Sequence, residues 1–466
     1  MGHAVPCANI SAVYHPRRPG DSPLFRLVRD HFTRFELIYE ERFQHDYGFF
    51  RPVVADVVAA YLKCGDLKEG FARVRCPVCR HEFLLAFSCR GRWFCPSCHA
   101  KKVVQFGELL RENIIHPLPH RQYVFSIPII LRKFFLYNRK LLSLLSAAAA
   151  ESLRVFFRTV LGLPEGVVGA VLAIQTFGDY ARWHPHIHAI VADGLFRPSG
   201  VFHVMPRTDL RPLAELFRAR VLARLKKAGL IDDSFIVRIM QWRHVSGFSV
   251  DNSVHVARGD DAGLTTLARY ILRNPFSTAK LRYIPESGMV IYHSKMTHGK
   301  NRKNFALFRA EEFIAAITQH IPDKSFQLVR YHGWYSNRMR GERNKKTQAT
   351  ESLANPDDEI EIIDVSGYRP RRIPPPVWRE CIKKIWEVDP LQCPRCKGEM
   401  KIISFITEAP VIRAILEHLH LWRDISQPRS PPICPELPAP QDASHHRHEH
   451  ADDGWPGYEE PFISYD

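Results

Sequence analysis

An α+β fold is predicted for this 466-residue chain, an antiparallel sheet with helices packed on one face. Two patterns predict it. Strand-like apolar runs come in pairs closed by turn residues: 171–177 ends at Gly178-Asp179, and 184–192 ends at Asp193-Gly194. Between such pairs lie long stretches with apolar residues at three-to-four spacing, among them 131–161 and 210–228. A third observation adds smaller modules at either side, because C-x-x-C pairs recur at 76–79, 95–98 and 393–396.

Composition sets the limits. The length exceeds what one hydrophobic core holds, so two to four modules are expected. Lys and Arg outnumber Asp and Glu 65 to 49, a formal charge of +16 that favours a polyanionic partner. No run of 18 apolar residues is present to span a bilayer, and the first residues lack the apolar core of a secretory signal. A cytoplasmic protein without a membrane partner is expected.

Taken in order, 1–62 reads as an N-terminal helical segment, with helical spacing from Leu24 to Leu62. Cys76-Pro77-Val78-Cys79 and Cys95-Pro96-Ser97-Cys98 follow, fifteen residues apart, the spacing of one four-thiolate zinc ribbon over 63–102. Residues 83–87 supply a strand for it. Cys64, Cys89 and His99 are either extra ligands or packing residues. Arg73, Arg75, Arg80, Arg90, Arg92, Trp93, Lys101 and Lys102 surround the knuckles, so contact with phosphates is expected.

The central module spans 118–346. Its first strand is 122–128, then come the 131–161 helix, the two strands already described, a strand at 201–204, the basic amphipathic helix 210–228, and strands at 235–239 and 248–256. Leu264, Leu267, Ala268, Ile271 and Leu272 form the stripe of a further helix that Pro275 ends. Residues 347–377, acidic and then Pro-rich, read as a linker. Residues 378–422 form a small module with Cys393-Pro394-Arg395-Cys396, whose zinc site would need Cys381, His418, His420 or a partner chain to complete it. Residues 423–466, rich in Pro, His and acidic residues, are expected to be a disordered tail.

Chemistry concentrates in the centre. Strand side chains alternate, so His184, His186 and His188 project from one side of a sheet, and Gln175 on the neighbouring strand is a candidate third ligand. Two imidazoles and an amide oxygen leave positions on a divalent ion for a phosphate oxygen and water. Tyr270 lies between Arg269 and Arg273, where guanidinium groups attract phosphate and stabilise a phenolate nucleophile.

The order of zinc ribbon, HPHIH strand, ARYILRNPFS helix (268–277), RYHGWYSNR (330–338) and DPLQCPRCKGEM knuckle (389–400) resembles the insertion sequence 91 family of bacterial rolling-circle transposases, members of the HUH nuclease superfamily. The resemblance covers roughly residues 24–422. It implies an HUH-type nuclease core, with His186 and His188 as paired metal ligands, Gln175 as the third and Tyr270 as nucleophile. Thr266 stands where two-tyrosine members carry a second Tyr, so the chain resembles the one-tyrosine branch. The implied reaction is nicking and rejoining of single-stranded DNA at element ends and target, using catalytic Mg²⁺ or Mn²⁺ and structural Zn²⁺ in a nucleoid-associated protein. A rolling-circle replication initiator would share the chemistry. A zinc-ribbon regulator without catalysis is the reading from another class.

Overall fold

A computed structural model describes residues 14, 19–91, 93–241, 247–293, 304–345, 361–368, 370 and 377–422. Arg92, most of the expected linker and the expected tail lie outside the described residues. The fold is mixed α+β with antiparallel sheets. The central sheet runs in the order Val329–Gly333, Gly169–Phe177, Trp183–Ala192, His120–Ser126, Ser249–Asp251, and His255–Val256 pairs the His120–Ser126 strand as well.

The two inner strands, Gly169–Phe177 and Trp183–Ala192, are buried along almost their whole length. Alternate residues face opposite sides, so burial at every position requires cover on both faces. The expectation of helices on one face is therefore corrected. Helix Leu142–Leu161 packs on one side, backed by helix Arg211–Lys227, while helix Asp261–Ile271 covers the face that carries the histidines. Apolar side chains fill the first interface, with Leu145, Leu153, Phe157 and Ile187 at full burial.

Three other expectations change. The 131–161 stretch is two helices, Ile129–Tyr137 and Leu142–Leu161, broken at Asn138, whose side chain caps the turn between them. Residues 235–239 lie in helix Asp233–Met240, not in a strand: Asp232 accepts a hydrogen bond from the Phe235 N–H and starts the helix despite the β-branched content. The expected linker contributes a strand, since Ile362–Asp364 pairs Val201–Val204 in a sheet completed by Gly194–Phe196.

The N-terminal helices do not stand alone. Pro23–Leu37 and Pro52–Leu62 share a second core with helix Ala310–Thr318 and the sheet Leu281–Ile284, Met289–His293, Phe305–Arg309. His31 joins the two halves through Glu311 at 3.1 Å and the Tyr283 hydroxyl at 3.0 Å. Nor is the C-terminal module separate. Lys401–Ile406 pairs Phe71–Arg75, giving a ribbon sheet in the order Lys401–Ile406, Phe71–Arg75, Glu82–Ala86. No helix among the described residues is long and apolar enough to cross a membrane.

Candidate active site and metal centres

Register builds the histidine site. In the antiparallel pair of inner strands, Gln175 lies directly opposite His186 and Ala173 opposite His188. The rings of His184 and His186 are 4.8 Å apart, as are those of His186 and His188, so all three share the face covered by the tyrosine helix. The Nε2 atoms of His186 and His188 face each other at 3.0 Å. Their other nitrogens are held from behind: His186 Nδ1 meets the His184 carbonyl at 2.8 Å, and His188 Nδ1 meets the Gln122 amide at 2.7 Å. Such outer partners fix ring orientation and tautomer at metal sites.

Gln175 is oriented by the tyrosine helix. Its Nε2 donates to the Ile271 carbonyl at 2.9 Å and reaches the Tyr270 carbonyl at 3.4 Å, while its Oε1 is buried and accepts no hydrogen bond. An uncompensated buried carbonyl is costly, and a cation is a natural complement to it. Facing Nε2 atoms 3.0 Å apart are two neutral nitrogen donors that could hold a divalent cation, whose chemistry would be Lewis-acid. Burial holds His186 down to about 4 and His184 down to about 2, and pushes His188 well below its ordinary value, with the charge of Arg273 acting in the same sense on His186 and His188. Neutral imidazole is the ligating form.

Tyr270 stands beside this group. Its ring meets the His188 ring edge to face, with centroids 5.4 Å apart, and the Arg273 guanidinium lies 4.6 Å from its centroid. Arg273 also reaches the Phe177 ring at 5.5 Å. Arg269 is exposed on the same helix. The structure thus brings His186, His188, Gln175, Tyr270 and Arg273 together. His184 adjoins them, but the three imidazoles do not converge: among the described residues, groups of three or more His, Cys, Asp or Glu ligand atoms within 4.8 Å of one another are formed by cysteines alone.

Those cysteines fall into two clusters, Cys64 with Cys89, Cys95 and Cys98, and Cys76 with Cys79, Cys393 and Cys396. The expected single site of Cys76, Cys79, Cys95 and Cys98 is corrected. The reason is that strand pairing turns the first knuckle toward the ribbon sheet, while the second opens helix Pro96–Leu109 on the side of helix Pro52–Leu62, whose end carries Cys64. In the first cluster Cys64 Sγ lies 3.8 Å from Cys95 Sγ and 3.7 Å from Cys98 Sγ, and Cys89 Sγ lies 3.7 Å from Cys98 Sγ. Thiolates about 2.3 Å from one tetrahedral ion stand about 3.8 Å apart. A disulfide would need about 2.05 Å. A hydrogen bond from Cys89 holds the Cys64 thiol down to about 6.

Two residues carry more than sequence reasoning assigned. Gln122 was not identified, because its reach to His188 depends on the register Val124 to His188, which places Gln122 diagonally across the strands. His99, left between ligand and packing roles, is not in a cluster: its Nε2 donates to the Leu272 carbonyl at 2.6 Å and its Nδ1 accepts from the Trp93 N–H at 3.2 Å. Cys381 is buried in helix Trp378–Trp386 and ligates in neither cluster.

Comparison with known proteins places these features in one lineage. Residues 169–343 match the family described as "Putative transposase", and residues 35–127 match the "Transposase zinc-binding domain" of insertion sequence 91. The chain is 26% identical over 374 residues to the transposase for insertion sequence element IS801 of Pseudomonas savastanoi pv. phaseolicola, covering 77% of this chain and 86% of that protein. It is 26% identical over 336 residues to the protein named putative transposase y4qJ of Sinorhizobium fredii (strain NBRC 101917 / NGR234), covering 68% of this chain and 82% of that one. No solved structure matches. The zinc-binding domain and the thiolate geometry support structural Zn²⁺. With both family modules matched in order, and the match running through the histidine strand and the tyrosine helix, the comparisons support a transposase of the insertion sequence 91 family.

Proposed function

We propose that this transposase nicks and rejoins single-stranded DNA at element ends and target through an HUH-type core, with Tyr270 as nucleophile. The observation that carries the reading is the pair of facing Nε2 atoms of His186 and His188, with Gln175, whose Oε1 is unpartnered, directly opposite His186 and the Tyr270 ring beside His188. His186, His188 and Gln175 would hold Mg²⁺ or Mn²⁺, which when bound supplies Lewis-acid polarisation of the scissile phosphate.

The chain's own groups do the rest. Tyr270 Oη forms a bond to phosphorus, the bond from phosphorus to the 3′-oxygen breaks, and that oxygen leaves with a proton as a free 3′-OH. A 5′-phosphotyrosine remains, and attack by a 3′-OH on it reverses the step, so rejoining needs no nucleotide cofactor. Arg273, over the Tyr270 ring, places positive charge where the phosphate arrives. Burial of the histidine face keeps the imidazoles neutral and the ligand set dry.

The test is a single-stranded oligonucleotide carrying the element's own flanking sequence. Tyr270→Phe is expected to abolish the denaturation-resistant protein–DNA adduct while oligonucleotide binding is retained. Adduct formation by the Phe variant would overturn the assignment and direct attention to Tyr283 or Tyr292.

A further inference from the structure

We propose that Cys76, Cys79, Cys393 and Cys396 form a second zinc site, distinct from the Cys64, Cys89, Cys95 and Cys98 site, and that this ion is a clasp closing the ribbon across the whole central module. Two of its four ligands lie outside the residues matched by the zinc-binding family, 35–127.

Spacing is the first support. Cys76 Sγ lies 3.5 Å from Cys396 Sγ and Cys79 Sγ lies 3.4 Å from Cys393 Sγ, close to the separation of about 3.8 Å expected around one tetrahedral ion and well beyond a disulfide. Both of these pairs run between the knuckles, and all four sulfurs lie within 4.8 Å of one another. Each knuckle therefore faces the other across a common point.

The backbone is the second support, and it is independent of the side chains. In the first knuckle the Arg80 N–H donates to the Cys76 carbonyl at 3.1 Å and the Cys76 N–H to the His81 carbonyl at 2.8 Å. In the second, Lys397 N–H donates to the Cys393 carbonyl at 2.9 Å and Cys393 N–H to the Gly398 carbonyl at 2.8 Å. The residue after each second cysteine takes a left-handed conformation, φ 61° at both Arg80 and Lys397. A non-glycine residue there is strained. Two copies of the same strained turn, each aiming two sulfurs inward, are the device by which C-x-x-C pairs bind zinc.

The surroundings are too small to hold the closure alone. The local core is Val74, Cys76, Cys393 and Met400, with Phe83, Leu85 and Leu391 partly buried against it. Clusters of this size are marginal without metal. Beyond the knuckle, Lys401–Ile406 pairs Phe71–Arg75 through a register shift at Arg73/Val74, so the third strand of the ribbon follows a cysteine, Cys393, that lies 314 residues downstream of Cys79. A second small cluster, Phe71 with Ile412 and Leu416, packs against Ile406 at the far end of that strand, so the clasp fixes the end next to the knuckle.

Zinc content tests this, separately from any cleavage chemistry. The full-length protein, purified under reducing conditions, is expected to hold two zinc ions per chain, the Cys393→Ser/Cys396→Ser double variant one, and the Cys95→Ser/Cys98→Ser double variant one. A single ion in the wild type, or two retained in the Cys393→Ser/Cys396→Ser variant, overturns the proposal. Should the variants fail to fold, alkylation of the zinc-loaded wild type decides instead. Cys76, Cys79, Cys393 and Cys396 are expected to be protected as a group and released together by a chelator. Modification of Cys393 and Cys396 while Cys76 and Cys79 stay protected overturns it equally.

Discussion

His186 and His188 are two residues apart on one strand, whereas Cys79 and Cys393, whose sulfurs lie 3.4 Å apart, are separated by 314 residues. The first site is assembled by strand periodicity and completed by one neighbouring strand and one helix. The second is assembled by sheet pairing between the two ends of the chain. Local chemistry of this kind survives as a pattern in the sequence, while closure of the second kind depends on topology that no spacing rule contains.

The sharpest way to break the comparison is to remove single side chains from the strand. His186→Ala or His188→Ala is expected to lower Mn²⁺-dependent oligonucleotide cleavage by at least about 10²-fold, since a metal ligand should cost more than the 10- to 100-fold typical of its outer partners. Gln122→Ala, which removes only the support behind His188, is expected to weaken Mn²⁺ affinity by about 10- to 100-fold. His184→Ala should cost under about tenfold, because its ring adjoins His186 without joining a three-histidine set. If His184→Ala abolished cleavage while Gln175→Ala retained it, His184 would be the third ligand.

The same contrast explains what could be read in advance. The alternation of His184, His186 and His188 placed three rings on one face from the strand period alone, and the turn at Gly178-Asp179 made the Gly169–Phe177 strand an antiparallel neighbour, bringing Gln175 within reach. Helix Asp261–Ile271 followed from its apolar stripe. The cysteines misled for a physical reason: two knuckles fifteen residues apart satisfy the ribbon spacing, but helix Pro96–Leu109 carries the second toward Cys64. The vacancy was filled from Cys393 and Cys396, whose knuckle looked incomplete only because its partner lay beyond the central module. Helix Asp233–Met240 was missed because its cap at Asp232 outweighs the strand preference of Phe235, Ile236 and Val237.

Acid should separate the regions less steeply. His120 and His320 lock the ends of the inner sheet, His120 through the Tyr335 hydroxyl at 2.7 Å and His320 between Thr176 Oγ1 at 3.0 Å and the Ala181 carbonyl at 2.9 Å. Burial holds them down to about 4 and about 3. A folded value below the unfolded one means that the unfolded chain binds the extra proton, so stability is full above about pH 6.5 and is lost as pH falls toward the folded values. Each group contributes a slope of up to about 1.4 kcal/mol per pH unit in that window. Urea unfolding of the zinc-loaded protein between pH 7.5 and 5 is expected to show this loss, and His320→Gln should flatten it by about one proton. An unchanged slope in that variant would show that His320 does not supply the linkage.

A further, modest effect is expected where the first cysteine cluster meets the tyrosine helix. Helix Pro96–Leu109 begins at Cys95 and Cys98 and packs against the tyrosine helix, and its His99 donates from Nε2 to the Leu272 carbonyl, two residues beyond Tyr270. The ring is oriented in turn by the Trp93 N–H, so a side chain fixed by the first cysteine cluster holds the end of the helix that carries the nucleophile. His99 would be a positioning residue, acting through backbone that Gln175 also grips at Ile271. His99→Ala is expected to slow adduct formation about tenfold, the size of one charge-free buried hydrogen bond at about 1.4 kcal/mol, with zinc content and oligonucleotide affinity unchanged. His99→Asn, which keeps a donor near Leu272, should recover part of the rate. Loss of zinc or of DNA affinity in His99→Ala, or no recovery in the Asn variant, would mean that the residue serves folding alone and that the cysteine cluster and the tyrosine are mechanically independent.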